Sequence, residues 1–199
     1  MRVHIYLALL GVILPSLLFG QKVVFIGNSI TAGWDLAAYF PEKDYVNKGM
    51  SGQITSQFLE RYDEDVLKAK PVAVVILGGI NDISRSIDID TVFKNIVKMA
   101  VAADASNIKV VVSSVLPVSA YACCDGFSAR PLILSLNEKL EKFARAMGFQ
   151  YLDYYTSLVD ECGGLTDRFT FDGVHLTKEG YEVMTGIATE VLTHMTNGM

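Results

Sequence analysis

The stretch Val23-Val24-Phe25-Ile26-Gly27-Asn28-Ser29-Ile30-Thr31 decides the fold. Its first four residues are all apolar, and three are β-branched. No polar face is left, so the segment reads as a strand covered on both sides, as strands of a parallel sheet are. Gly27 ends the run and a helix start follows.

The same pattern recurs along the chain. Val72 to Leu77 is a second apolar run, ending at Gly78-Gly79, and Ile108 to Val115 is a third, interrupted by Lys109 and closed by Pro117. Tyr45 to Asn47 and Phe149 to Leu152 are shorter strands. Apolar residues at helical spacing predict helices over Thr55–Lys68, Thr91–Ala103, Pro131–Met147 and Tyr181–Met195. Gly148 is a C-terminal stop for the third of these. Strands alternating with helices predict an α/β domain of three layers, α/β/α, around a five-stranded parallel sheet with right-handed crossovers.

Composition narrows the class. Of 199 residues, 51% are apolar and 20% charged, and the mean hydropathy is +0.33. Disordered and low-complexity chains are excluded, because they lack the apolar surface that offsets chain entropy. The net charge of -5 and the lack of any run of Lys and Arg argue against a nucleic-acid partner. Part of the hydropathy lies at the N-terminus, where Arg2 precedes an apolar run from Ile5 to Phe19, followed by Gly20 and Gln21. This reads as a signal peptide over 1–20, with a secreted or periplasmic domain over 21–199. A buried N-terminal element and an uncleaved anchor are the alternatives. The run is too short and interrupted for a good membrane span, so no stable insertion is expected after cleavage. Export permits disulfides, and the odd set Cys123, Cys124 and Cys162 leaves at least one thiol over. A bond from Cys123 or Cys124 to Cys162 stands beside the alternative of idle thiols. The spacing matches no zinc site, and no metal is signalled.

In such a sheet, ligands sit at the carboxyl ends of the strands, near the point where strand order reverses. The loops there carry the candidate chemistry. Ser29 follows the first strand and precedes a helix. Its hydroxyl can meet the helix N-terminus, where N–H groups and the dipole favour developing negative charge, or it can cap the helix. Neither Gly-Lys-Ser/Thr nor a dinucleotide-binding glycine pattern is present, which removes a phosphate loop. Asn47-Lys48-Gly49-Met50-Ser51-Gly52 follows the second strand, with glycines that permit close backbone approach. Gly78-Gly79-Ile80-Asn81-Asp82 follows the third, and Asn81 can aim an amide N–H at the sheet mouth or form an Asx turn. Phe171-Asp172-Gly173-Val174-His175-Leu176 precedes the last helix. A carboxylate three residues before a His can hold Nδ1–H and leave Nε2 to take a proton from a hydroxyl. A capping or surface His is the alternative. His194 lies in a helical pattern near the C-terminus and reads as a surface residue.

Together these four loops resemble the four blocks of the SGNH/GDSL hydrolase family, in the same order, over residues 22 to about 190. Gly27-Asn28-Ser29 is similar to the first block, Gly52 to the second, Asn81 to the third, and Asp172 with His175 to the fourth. The resemblance implies a flavodoxin-like SGNH hydrolase fold, with Ser29 as nucleophile, His175 as general base and then acid, and Asp172 as orienting carboxylate. It further implies an oxyanion hole made of the backbone N–H groups of Ser29 and Gly52 and the amide of Asn81. No cofactor is implied. One departure is plain: Asn28 stands where the family has Asp.

Export, small size and a loop-borne site suit an esterase acting outside the cytoplasm on small-molecule or glycan esters, with O-acetyl groups on glycans as first choice. A lysophospholipase or thioesterase is the alternative enzyme. A catalytically silent glycan-binding domain is opposed by the filled catalytic positions. A flavodoxin-like mononucleotide binder explains neither the Asp172–His175 pair nor Asn81. Trp34, Tyr39 and Phe40 either line an apolar pocket or pack as core. Phe169 and Phe171 either brace the loop or shape the leaving-group side.

Overall fold

The computed structural model describes residues 22–119 and 129–196. Its strands are β1 (Val23–Gly27), β2 (Tyr45–Gly49), β3 (Ala73–Leu77), β4 (Lys109–Ser113) and β5 (Gln150–Leu152). They form one parallel sheet in the order β2-β1-β3-β4-β5, which is the flavodoxin-like order. The helices are α1 (Ser29–Ala32), α2 (Leu36–Tyr39), α3 (Thr55–Tyr62), α4 (Ile80–Ser84), α5 (Ile89–Ala105), α6 (Arg130–Met147), α7 (Tyr155–Leu158) and α8 (Lys178–Thr196). Strand order reverses at β1, which pairs Gly27 with Gly49 on one side and with Leu77 on the other. Three strand ends therefore stop level with one another.

Side chains alternate between two cores. Val24, Ile26, Val74, Ile76, Val110 and Val112 pack with Phe58 of α3, Ile96 and Met99 of α5, and Leu136 and Leu140 of α6. Val23, Phe25, Val75, Leu77 and Val111 pack with Ile30, Leu36, Leu158 and the α8 residues Met184, Ala188 and Leu192. Helices cover both faces, so the strands have no polar side and their sequences do not alternate. The three-layer α/β/α sandwich predicted from the sequence is the one observed.

Element ends depart from the sequence reading, each for a local reason. Helix α5 starts at Ile89, ahead of the expected Thr91, because the Asp88 carboxylate accepts from the N–H groups of Asp90 and Thr91. Helix α8 starts at Lys178 rather than Tyr181. The helix expected over Thr55–Lys68 is α3 followed by a π-helical turn, Asp63–Leu67. That turn carries Asp65 inward, where it pairs with Lys48 and Arg61. Strand β4 ends at Ser113 rather than Val115, because Asn137 takes both backbone groups of Val115, donating to its C=O and accepting from its N–H. Gly148 ends α6 in the left-handed conformation, as its position predicts.

Trp34 and Phe40 are core residues packed around Phe25, while Tyr39 lies at the edge against Tyr181. Cys162 is exposed. Its suggested partners Cys123 and Cys124, like residues 1–20, lie outside the described residues. Among the described residues no helix is long and apolar enough to cross a membrane, and no three His, Cys, Asp or Glu side chains are grouped to hold a metal ion.

Candidate active site

Strand β1 runs into α1 through Asn28, and Asn28 caps that helix. Its Oδ1 accepts from the N–H of Ile30 at 3.0 Å. Ser29 is thus the first residue of the helix, and its hydroxyl is not used as a cap. A side-chain amide makes this bond as well as a carboxylate does, so Asn28 preserves the cap that an Asp would supply. Helix α1 lies hard against the sheet. A Cβ at Gly27 would sit 2.1 Å from Thr31 Oγ1, so only glycine permits this approach. Two side chains from elsewhere fasten the helix further. Asn47 Nδ2 donates to the carbonyls of Thr31 and Trp34 at 2.6 and 2.9 Å, and Tyr181 Oη donates to Ile30 C=O at 2.9 Å. In the sequence Asn47 ends a short strand and opens a glycine-containing loop. That strand, β2, lies at the edge of the sheet, and nothing near Asn47 in sequence shows which carbonyls its amide reaches.

The loop before α8 builds its own scaffold. Asp172 Oδ1 accepts from the N–H groups of Val174 and His175 at 2.9 and 2.7 Å, while Oδ2 meets His175 Nδ1 at 2.6 Å. Thr170 Oγ1 donates to His175 C=O and accepts from Gly173 N–H, both at 2.8 Å. Partial burial pushes the Asp172 carboxyl up, but the hydrogen bonds from the His175 ring and from the N–H groups of His175 and Val174 outweigh it. The carboxyl is held below its ordinary range. A carboxylate only accepts, so His175 carries its proton on Nδ1 and turns the lone pair of Nε2 outward. That nitrogen lies 3.0 Å from Ser29 Oγ, across 146 residues of chain. The geometry suits transfer of the hydroxyl proton to the ring. Phe169 is buried beneath this loop, and the 72% exposed Phe171 stacks on the His175 ring.

Gly52 and Asn81 come from the neighbouring strand ends. Gly52 lies three residues beyond β2 with φ +75°, a conformation that favours glycine. Asn81 is the second residue of α4, just after β3. Asn81 Nδ2 donates to Gln53 C=O at 2.9 Å, and Arg85 Nη2 donates to Gly52 C=O at 2.8 Å. The Asn81 amide has two N–H bonds, and the bond to Gln53 C=O takes one of them. Ser29, Gly52 and Asn81 thus all stand at the carboxyl ends of β1, β2 and β3. His194 does not join them. It precedes Met195, whose carbonyl accepts from the first residue of β4, Lys109, at the opposite end of the sheet.

Relatives carry the same architecture. The family model of the GDSL-like lipase/acylhydrolase family matches residues 25–183. A GDSL-like lipase from Bacteroides thetaiotaomicron is 36% identical, with a TM-score of 0.81 over 90% of this chain and 89% of that one. An acetylxylan esterase from Geobacillus stearothermophilus is 35% identical over 95 residues, covering 35% of this chain and 43% of that protein, so this chain spans less than half of that relative's length. A solved acetylxylan esterase structure from the same organism, 18% identical, shares the fold with a TM-score of 0.69 over 86% of this chain and 93% of that one. With the family model matching most of the sheet, the four loops and the start of α8, the chain belongs to the GDSL-like lipase/acylhydrolase family.

Proposed function

We propose that the chain is a serine esterase that removes small acyl groups, above all O-acetyl groups of glycans, outside the cytoplasm. The observation that carries this reading is the unbroken hydrogen-bonded line from Asp172 through His175 to Ser29 Oγ. A Ser hydroxyl is a weak nucleophile and needs a positioned base. In the proposed reaction Ser29 Oγ attacks the ester carbonyl carbon and its proton passes to His175 Nε2. Asp172 stabilises the resulting imidazolium. The tetrahedral oxyanion takes hydrogen bonds from the N–H groups of Ser29 and Gly52 and from the second N–H of Asn81. Collapse breaks the bond to the alcohol, which leaves with the proton from Nε2. Water then attacks the acyl-Ser29 ester by the same route and restores the hydroxyl.

Two further observations support the small acyl group and the glycan. An apolar recess is lined by Asn28 and Ile30, the two neighbours of Ser29 in the chain, and by Leu77, Ile80, Val115, Val118 and Val174. The recess is small, which suits a methyl-sized group better than a long acyl chain. The Geobacillus relative is an acetylxylan esterase. The N-terminal pattern supports export.

The test is acetate release from acetylated xylan and other acetylated glycans, alongside p-nitrophenyl esters of increasing chain length. The reading expects activity on acetylated glycans, rates that fall beyond the shortest acyl chains, and loss of both in Ser29→Ala. Rates that climb with chain length would instead favour a lysophospholipase or thioesterase. Activity that survives in Ser29→Ala would refute the nucleophile.

A further inference from the structure

The start of α3 has a local deficit. The residue before its first turn is Ile54, whose side chain has no oxygen with which to cap the helix, so the first N–H groups of α3 need an acceptor from elsewhere. Asp82 supplies it across 27 residues of chain. Its two oxygens both lie 3.1 Å from Thr55 N–H, and Oδ1 also accepts from Thr55 Oγ–H at 2.6 Å. Thr55 Oγ1 in turn accepts from Asn95 Nδ2 at 3.0 Å. Asp82 is 1% exposed, and this burial pushes its carboxyl above the ordinary range, only partly offset by the bonds from Thr55. A buried carboxylate at a helix N-terminus, held by several bonds, is a rigid joint.

The joint has neighbours on both sides. Asn81 precedes Asp82 and holds Gln53 C=O, while Arg85, one turn later, holds Gly52 C=O. Three of the four residues from Gly52 to Thr55 are therefore bonded to side chains carried on or just after α4. We propose that Asp82 is a positioning residue, which locks segment 52–55 onto α4 and so sets the spacing between the Gly52 N–H and the Asn81 amide. This rests on the assignment of Gly52 and Asn81 as oxyanion donors. Such donors stabilise the transition state only if their geometry is set beforehand, and a displacement of about 1 Å costs on the order of 10²-fold in rate.

In Asp82→Asn one acceptor oxygen becomes an NH2 group, which faces the Thr55 donors. With p-nitrophenyl acetate and the full chain, kcat is expected to fall about 10- to 100-fold while KM moves less than about 3-fold. Thr55→Val, which removes the Oγ1 bonds to Asp82 and from Asn95 but keeps the backbone N–H bond, is expected to lower kcat several-fold, with Thr55→Ser recovering most of the loss. Adding Asp82→Asn to Asn81→Ala should cost less than about 3-fold more, because both changes act on the same donor pair. Rates are referred to active sites counted by acylation of Ser29, so unfolded protein does not register as slow chemistry. Wild-type kcat per active site in Asp82→Asn, or full additivity with Asn81→Ala, overturns the proposal. If Asp82→Asn does not fold, the Thr55→Val and Thr55→Ser pair decides: equal kcat in both overturns it. Undiminished rate in Asn81→Ala overturns instead the oxyanion assignment beneath it.

Discussion

The Asp172–His175 loop and the proposed oxyanion side of the site are built by opposite means. The loop is short-range. Thr170, Asp172, Gly173 and His175 bond to one another within six residues, and the Asp172 and His175 side chains remain about two-fifths exposed. The oxyanion side is long-range. Asp82 reaches Thr55 across 27 residues and Asn81 reaches Gln53 across 28, around a carboxylate shut away from solvent. A base must turn over protons with substrate and water, and an exposed, self-braced loop allows that. Oxyanion donors must not relax when charge develops, and burial with several bonds enforces that. The contact between His175 Nε2 and Ser29 Oγ joins the two halves directly.

Variants probe this contrast in order of expected effect. Removing the proposed nucleophile in Ser29→Ala should lower kcat by about 10⁶-fold, measured by ester hydrolysis with the circular dichroism spectrum unchanged. Asp172→Asn leaves the size but favours the wrong His175 tautomer, and a loss of about 10⁴-fold is expected. A loss below about 10-fold would mean that the loop backbone alone orients the ring. On the other side, Asn81→Ala should cost about 10²- to 10³-fold in kcat, with much less effect on KM.

The smallest effects are on stability, and here the two halves should differ in sign. The Asp172 carboxyl is held below its ordinary range in the folded chain. Its contribution is therefore present above about pH 4 and is lost as pH falls through the folded value. The Asp82 carboxyl is raised by burial. Its contribution is full below about pH 4 and is lost as pH rises through the folded value. Thermal melting across pH should show the gap between wild type and Asp172→Asn narrowing in acid. The gap between wild type and Asp82→Asn should widen in favour of wild type in acid. The same trend in both variants would break the comparison.

Much of this was legible in contiguous residues. Val23–Ile26 and Val72–Leu77 announced strands covered on two faces, and the Asp172–His175 pair could be read because three residues of loop bring its side chains together. Ser29 was ambiguous, since a hydroxyl ahead of a helix serves equally well as a cap. The structure removes that ambiguity by giving the cap to Asn28. Asn47 and Thr170 went unread because polar side chains that bond backbone groups leave no periodic trace. Asp82 carries no signal of its own beyond its place next to Asn81, since nothing near it in sequence tells which helix lacks an N-terminal acceptor.

Contiguous residues set the alternation of strands and helices, the four loops that could hold chemistry, and the local pairing of one acid with one imidazole. These depend on periodicity and on hydrogen bonds a few residues long. Long-range packing brings Ser29 to His175, lets Asn47 and Tyr181 fasten α1, and places Asp82 as the cap of α3. Those outcomes depend on the level ends of β1, β2 and β3 and on how closely α1 settles over Gly27, and both are set by packing across the whole sheet.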